Sequence, residues 1–130
     1  MKQAVLITTA TAILGCAPQD GADVSKDAVP EYGDITTKLL DGDLVSFDVT
    51  MKGAMADTDV IAFNDCAAAQ YALIRGAGFV RRVRNDVSKR GKMWTGTGIY
   101  TLSDAHPGGQ HSIDAEITAQ GCRANNIPMV

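Results

Sequence analysis

Two adjacent stretches decide the fold: Leu44–Lys52 (LVSFDVTMK) and Asp57–Arg75 (DTDVIAFNDCAAAQYALIR). In the first, Val45, Phe47, Val49 and Met51 alternate with Ser46, Asp48, Thr50 and Lys52. Side chains in a strand point to opposite faces in turn, so this pattern predicts a half-buried strand. In the second, no Gly or Pro interrupts Val60 to Arg75, and Ala62, Ala67, Ala68, Ala69 and Ala72 favour helix. Asp57 or Thr58 can cap its first N–H groups, and Asp59 suits the positive end of its dipole. Ile61, Asn64, Ala68, Tyr71 and Arg75 form one stripe, with Val60, Phe63, Ala67, Leu73 and Ile74 widening the apolar cover. Gly76 or Gly78 can end the helix in a left-handed conformation.

Downstream the period returns to two. Phe79–Arg84 predicts a second strand and Asn85–Gly91 a polar loop. Met93–Leu102 predicts a third strand, with Trp94, Gly96, Gly98, Tyr100 and Leu102 on one face. The two glycines leave room there for a helix to approach closely, or for a bulge. Pro107-Gly108-Gly109 marks a hairpin loop, and His111–Gln120 alternates as a fourth strand. The expected class is α+β: two layers, one helix on a mainly antiparallel sheet of about four strands, in the order β-α-β-β-β.

The chain has 130 residues, enough for one domain. Its 45% hydrophobic and 21% charged residues match an ordinary globular protein and exclude disorder over the full length. A net charge of -3 gives no ground for nucleic-acid binding. Residues 16–34 differ from the rest. They carry Asp20, Asp23, Asp27, Glu31 and Asp34 against Lys26 and have few large apolar side chains, which predicts a disordered acidic tether ahead of a domain at 35–130.

The first residues carry a separate signal. Met1-Lys2-Gln3 precedes the uncharged run Ala4–Leu14, too short to span a bilayer, and then Ile13-Leu14-Gly15-Cys16. This stretch resembles the lipobox of bacterial prolipoproteins, with Ile13 where Leu is usual and Leu14 where a small residue is usual. The resemblance implies a signal peptide over 1–15, cleavage before Cys16, a diacylglyceryl thioether on that sulfur and acylation of the new amino terminus. Ala17, in place of Asp, implies sorting to the outer membrane, facing the periplasm. An ordinary secretory signal cut elsewhere, or an uncleaved N-terminal anchor, is the competing reading. The stretches Cys66–Ala72, Gly78–Arg81 and Gly98–Thr101 are similar to small uncharacterised lipoproteins of Gram-negative bacteria, a resemblance that implies no activity.

With Cys16 lipidated, Cys66 and Cys122 remain, an even number in an oxidising compartment. The expectation is a Cys66–Cys122 disulfide, with two buried thiols acting as small hydrophobes as the competing reading.

Two clusters are candidates for function. Arg81, Arg82, Arg84, Lys89, Arg90 and Lys92 fall within twelve residues and suit an anionic envelope component or the acidic face of an envelope protein; they also fit a merely solvated hairpin. Asp104, His106, His111 and Asp114 flank the Pro-Gly-Gly turn and could ligate a metal ion, although their spacing matches no strong motif and a polar loop accounts for it equally. Gly96-Thr97-Gly98 lacks the third glycine of a dinucleotide site, Ser103 and Ser112 lack a nucleophile elbow, and there is no Cys-x-x-Cys. The sequence therefore predicts a non-enzymatic, lipid-anchored binding module without cofactor. A metal-binding or sensing lipoprotein is the alternative.

Overall fold

The computed structural model describes residues 29–130. The expected signal peptide, Cys16 and most of the tether lie outside the described residues. The elements are β1 (Glu31–Leu39), β2 (Leu44–Lys52), α1 (Asp57–Ile74), β3 (Phe79–Arg90), β4 (Met93–Ser103), β5 (Ser112–Asp114) and α2 (Ala115–Ala124). The strands form one sheet in the order β1-β2-β4-β3-β5, and every neighbouring pair is antiparallel. β2 and β3 therefore run parallel, joined by α1, and the β3–β4 hairpin inserts β4 between them. The class is α+β, as expected, but with five strands and two helices among the described residues.

β2 behaves as its alternation predicts: Val45, Phe47, Val49 and Met51 are all buried. Burying each such side chain contributes about 1.5–3 kcal/mol. They meet the alanine-rich side of α1, where Val60, Phe63, Ala67, Ala68, Ala69 and Ala72 are fully buried. Phe47 packs edge-on against Tyr71 and Tyr100, with ring centroids 5.6 and 5.8 Å away. α1 begins without a side-chain cap from Asp57 or Thr58. Asp59 instead accepts the Met55 N–H at 2.8 Å, one turn back. Gly76, at φ +79°, ends the helix in the left-handed conformation.

The fit of α1 to the sheet depends on β4. A Cβ at Gly96 would lie 2.5 Å from Val60 Cγ1 and 2.9 Å from Asn64 Nδ2. One at Gly98 would lie 2.7 Å from the Tyr100 ring. The helix thus sits where side chains would otherwise stand.

Three expectations are corrected. The strand β1 starts at Glu31, inside the segment expected to be tether. A bulge between Tyr32 and Ile35 turns both residues, three apart, toward the helices, opposite Met51 and Val49. Tyr32 then packs edge-on against Phe63 at 4.8 Å. The expected polar loop Asn85–Gly91 is strand as far as Arg90, closed by a tight turn with Gly91 at φ +62°. The expected fourth strand His111–Gln120 is strand only over Ser112–Asp114. From Ala115 it is helix, because Asp114 Oδ1 accepts the Ile117 N–H at 3.0 Å and caps α2. Ala115, Ala119 and Cys122 recur at helical spacing and are buried, while Ile117, which a strand would have buried with them, is 68% exposed.

α2 is tied to α1 by a disulfide between Cys66 and Cys122, with sulfurs 2.05 Å apart. Closing a loop of this length is worth roughly 4 kcal/mol through the entropy of the unfolded chain.

Because Val60 and Asn64 stand over Gly96, Gly96→Ala forces the helix off the sheet. The expected loss is about 1–3 kcal/mol of stability, read from urea unfolding under oxidising conditions. An unchanged midpoint would mean that the helix–sheet contact is loose.

Candidate functional site

The six clustered cations do not form one patch. Alternation and a second bulge, between Arg82 and Arg84, send them three ways. Arg82 lies opposite Tyr100 and points toward the helices; Arg81, Arg84 and Arg90 lie opposite Thr101, Ile99 and Met93, on the face away from the helices. Lys89 and Lys92 stand at the hairpin tip, Lys89 with its ammonium 5.0 Å from the centre of the Trp94 ring. Val83, the extra residue of the bulge, is 55% exposed.

Arg82 is taken up by structure. Its Nε donates to Asp65 Oδ1 at 3.1 Å, and a second guanidinium nitrogen donates to Asp65 Oδ2. Tyr100 Oη donates to Asp65 Oδ1 at 2.5 Å. Asn85 Nδ2 donates to Tyr100 Oη at 3.3 Å, and Asn64 Nδ2 to Asn85 Oδ1 at 3.2 Å. The carboxylate can only accept, so it fixes the direction of the whole chain of donors. At the far end, the buried Asn64 Oδ1 has no partner among the described residues. The Arg82 and Asp65 side chains are only 22% and 17% exposed. Burial works against the Arg82 charge, but the hydrogen bonds and charge of Asp65 outweigh it and hold the guanidinium above its ordinary value. Burial, reinforced by the Asp65 carboxylate, pushes the Tyr100 hydroxyl far above the usual phenol range. Asn64, Asp65, Asn85 and Tyr100 were not among the expected site residues. The available signal was the Asn64-Asp65 pair midway along an alanine-rich helix.

The histidine loop is not assembled as a metal site. His106 Nδ1 accepts the Gly108 N–H at 3.0 Å, and its ring packs edge-on against Phe79. His111, at φ 62°, turns Nδ1 to 3.4 Å from an Arg82 nitrogen. Asp114 caps α2, and Asp104 lines a separate cleft of about 550 Å³ with Leu40, Tyr71 and Arg75. Among the described residues, no three His, Cys, Asp or Glu side chains are grouped to hold a metal ion.

What remains open is the sheet face opposite the helices. Lys38 and Thr97 bind Asp48 there, at 3.1 and 2.7 Å, and donation from Thr97 holds the Asp48 carboxyl below its usual value, against a smaller effect of burial and with help from Lys38. Arg84 pairs with Asp86 at 2.7 Å, but both side chains are more than half exposed, so the contact holds the arginine weakly. Arg81 and Arg90 have no ion pair among the described residues.

Residues 32–126 match the family described as the YNQ4 C-terminal domain, and the chain belongs to that family. A curated relative, an uncharacterised 26.9 kDa protein in the nqo8 5' region of Paracoccus denitrificans, is 34% identical over 86 residues. The alignment covers 65% of this chain and 33% of the relative, so the chain spans about a third of that protein. No solved structure matches.

The network predicts an alkaline response. Native Tyr100 keeps its proton where an unfolded tyrosine, with a pKa of about 10, releases it. The unfolded chain then binds fewer protons, so stability falls as pH rises past about 10. Urea unfolding between about pH 9 and about pH 11 should show a steeper loss in the wild type than in Tyr100→Phe. Tyr32, raised by burial and by the charge of Asp59, accounts for the slope that remains. Arg82→Met, which strands the Asp65 charge, should cost about 3 kcal/mol at neutral pH.

Proposed function

We propose that the chain is a lipid-anchored, non-enzymatic binding module of the bacterial cell envelope. Cys16 holds it on the outer membrane, facing the periplasm, and the open sheet face takes an anionic envelope component or the acidic face of an envelope protein. The observation that carries this reading is the uncovered β3–β4 surface. There Arg81, Arg84 and Arg90 stand beside Ile99 and Met93, while α1 covers the opposite face, with α2 packed against α1. A mixed apolar and cationic surface supports binding better than a purely charged one, because it combines desolvation with electrostatic selection.

The Cys66–Cys122 disulfide supports the location, since such bonds persist in oxidising compartments and are rare in the cytosol. It also leaves Cys16 as the odd cysteine, available for the lipid. The non-enzymatic reading draws support from Asp65, whose two oxygens are already committed to Arg82 and Tyr100.

Two measurements test the proposal. Intact mass of chain extracted from native membranes should equal residues 16–130 plus acyl chains, rising by about 2 Da on reduction of the bridge. Cross-linking in intact envelopes should recover a partner with the wild type, and tenfold or more less of it with Arg81→Glu/Arg84→Glu/Arg90→Glu. An unacylated mass would remove the anchor. A partner recovered equally by the variant would remove the arginine face.

A further inference from the structure

At the β3–β4 hairpin tip lies a cleft of about 340 Å³, lined by Lys52, Lys89, Lys92, Trp94, Val29 and Gly53. It gathers three cations from two separate parts of the chain: the end of β2 and the β3–β4 turn. Glu31 is the single acid that lines it. The lysines are exposed, whereas Trp94 is half-buried beneath the Lys89 ammonium. An indole with one side packed and an ammonium over its ring presents apolar surface and positive charge together, the pair of properties found where proteins meet lipid headgroups.

The path of the chain places this cleft at one particular end of the domain. Val29 lines it, and its carbonyl crosses so close to Gly53 that a Cβ there would fall 2.1 Å from the oxygen. Cys16 lies thirteen residues upstream. Even fully extended, that length of chain reaches only about 45 Å. The lysine cleft is thus on the side where the anchored segment enters, within reach of the bilayer surface.

We infer that the Lys52–Lys89–Lys92–Trp94 cleft binds the phosphate headgroup of an anionic lipid in the membrane that holds the chain. The inference rests on the lipid anchor proposed above. The lysines meet the phosphate and the indole lies against the glycerol region, so the domain is held in one orientation at the surface with its arginine face turned toward partners. Each lysine near an anionic surface gives about a fivefold gain in affinity, so three give about a hundredfold.

Trp94 is the one tryptophan of the chain, so its fluorescence reports on the cleft directly. The full-length chain in neutral detergent micelles is titrated with phosphatidylglycerol, and in a separate arm with inorganic phosphate. A saturable Trp94 response to phosphatidylglycerol is expected. It should weaken about a hundredfold in Lys52→Gln/Lys89→Gln/Lys92→Gln and recover to within a few-fold in the matching triple Lys→Arg variant. An unchanged circular dichroism spectrum and melting temperature certify that both variants fold. No response to the lipid, or an equal response in the glutamine variant, would overturn the inference. Saturation by free phosphate with equal affinity would also overturn it, by assigning the cleft to a soluble ligand. The anchor is read separately, from the mass of acylated Cys16. A failed anchor and a failed headgroup site therefore give different results.

Discussion

The approach of α1 to the bare backbone of β4 is the constraint on which the rest of the structure depends. At Gly96 and Gly98 the central strand has no side chains, and Val60 and Asn64 occupy the space. The alanines of α1 continue the same logic from the helix side, since a short side chain lets the two backbones close together. Helix and sheet are then so near that the residues around the glycines must fit one another closely. Phe47, Tyr71 and Tyr100 fill one end of the interface, and Tyr32, Phe63 and Met51 the other. α2 adds to α1 from outside the sheet and is fastened by the disulfide.

So close a contact buries Asn64 fully and leaves Asp65 only slightly exposed, both facing the sheet from the middle of α1. The structure answers with a directed line of hydrogen bonds ending on a carboxylate–guanidinium pair. A buried ion pair gives little net stability over an apolar filling, because both charges lose their hydration. Its effect here is on specificity. Arg82 and Asn85 can reach their partners only if β3 carries its bulge at Val83, so the network and the strand register select each other. The same bulge decides which arginines face outward.

Much of this was legible in the residues. The alternation of Leu44–Lys52 and the uninterrupted run after Asp57 predicted β2 and α1, and the paired glycines of β4 allowed either a close helix approach or a bulge, of which the structure takes the first. What escaped had a physical cause in each case. β1 was hidden because its bulge puts the inward residues Tyr32 and Ile35 three apart, which breaks a period of two. α2 was hidden because the alternating Ile113, Ala115, Ile117 and Ala119 fit two periods, and a single cap at Asp114 chooses the helix. The basic cluster suggests one surface because charged side chains are ordinarily exposed; Arg82 is turned inward by Asp65, a residue seventeen positions away in the chain. The histidines are near one another in sequence, but the loop geometry turns each to a different neighbour.

The two bulges also bear on how the molecule behaves among its own copies. Beside the short edge strand β5, the sheet has two longer open margins among the described residues: β1 along its length, and β3 beyond Arg81, where its pairing with β5 stops. Each margin carries a bulge close to its start, and each is studded with charge, Lys38, Glu31 and Asp34 on one side and Arg84, Asp86 and Arg90 on the other. A straight, apolar margin is a template for adding strands from another molecule, and fibrils grow from such templates. Where many copies of the domain meet, these irregular margins let them collide without zipping into a continuous sheet.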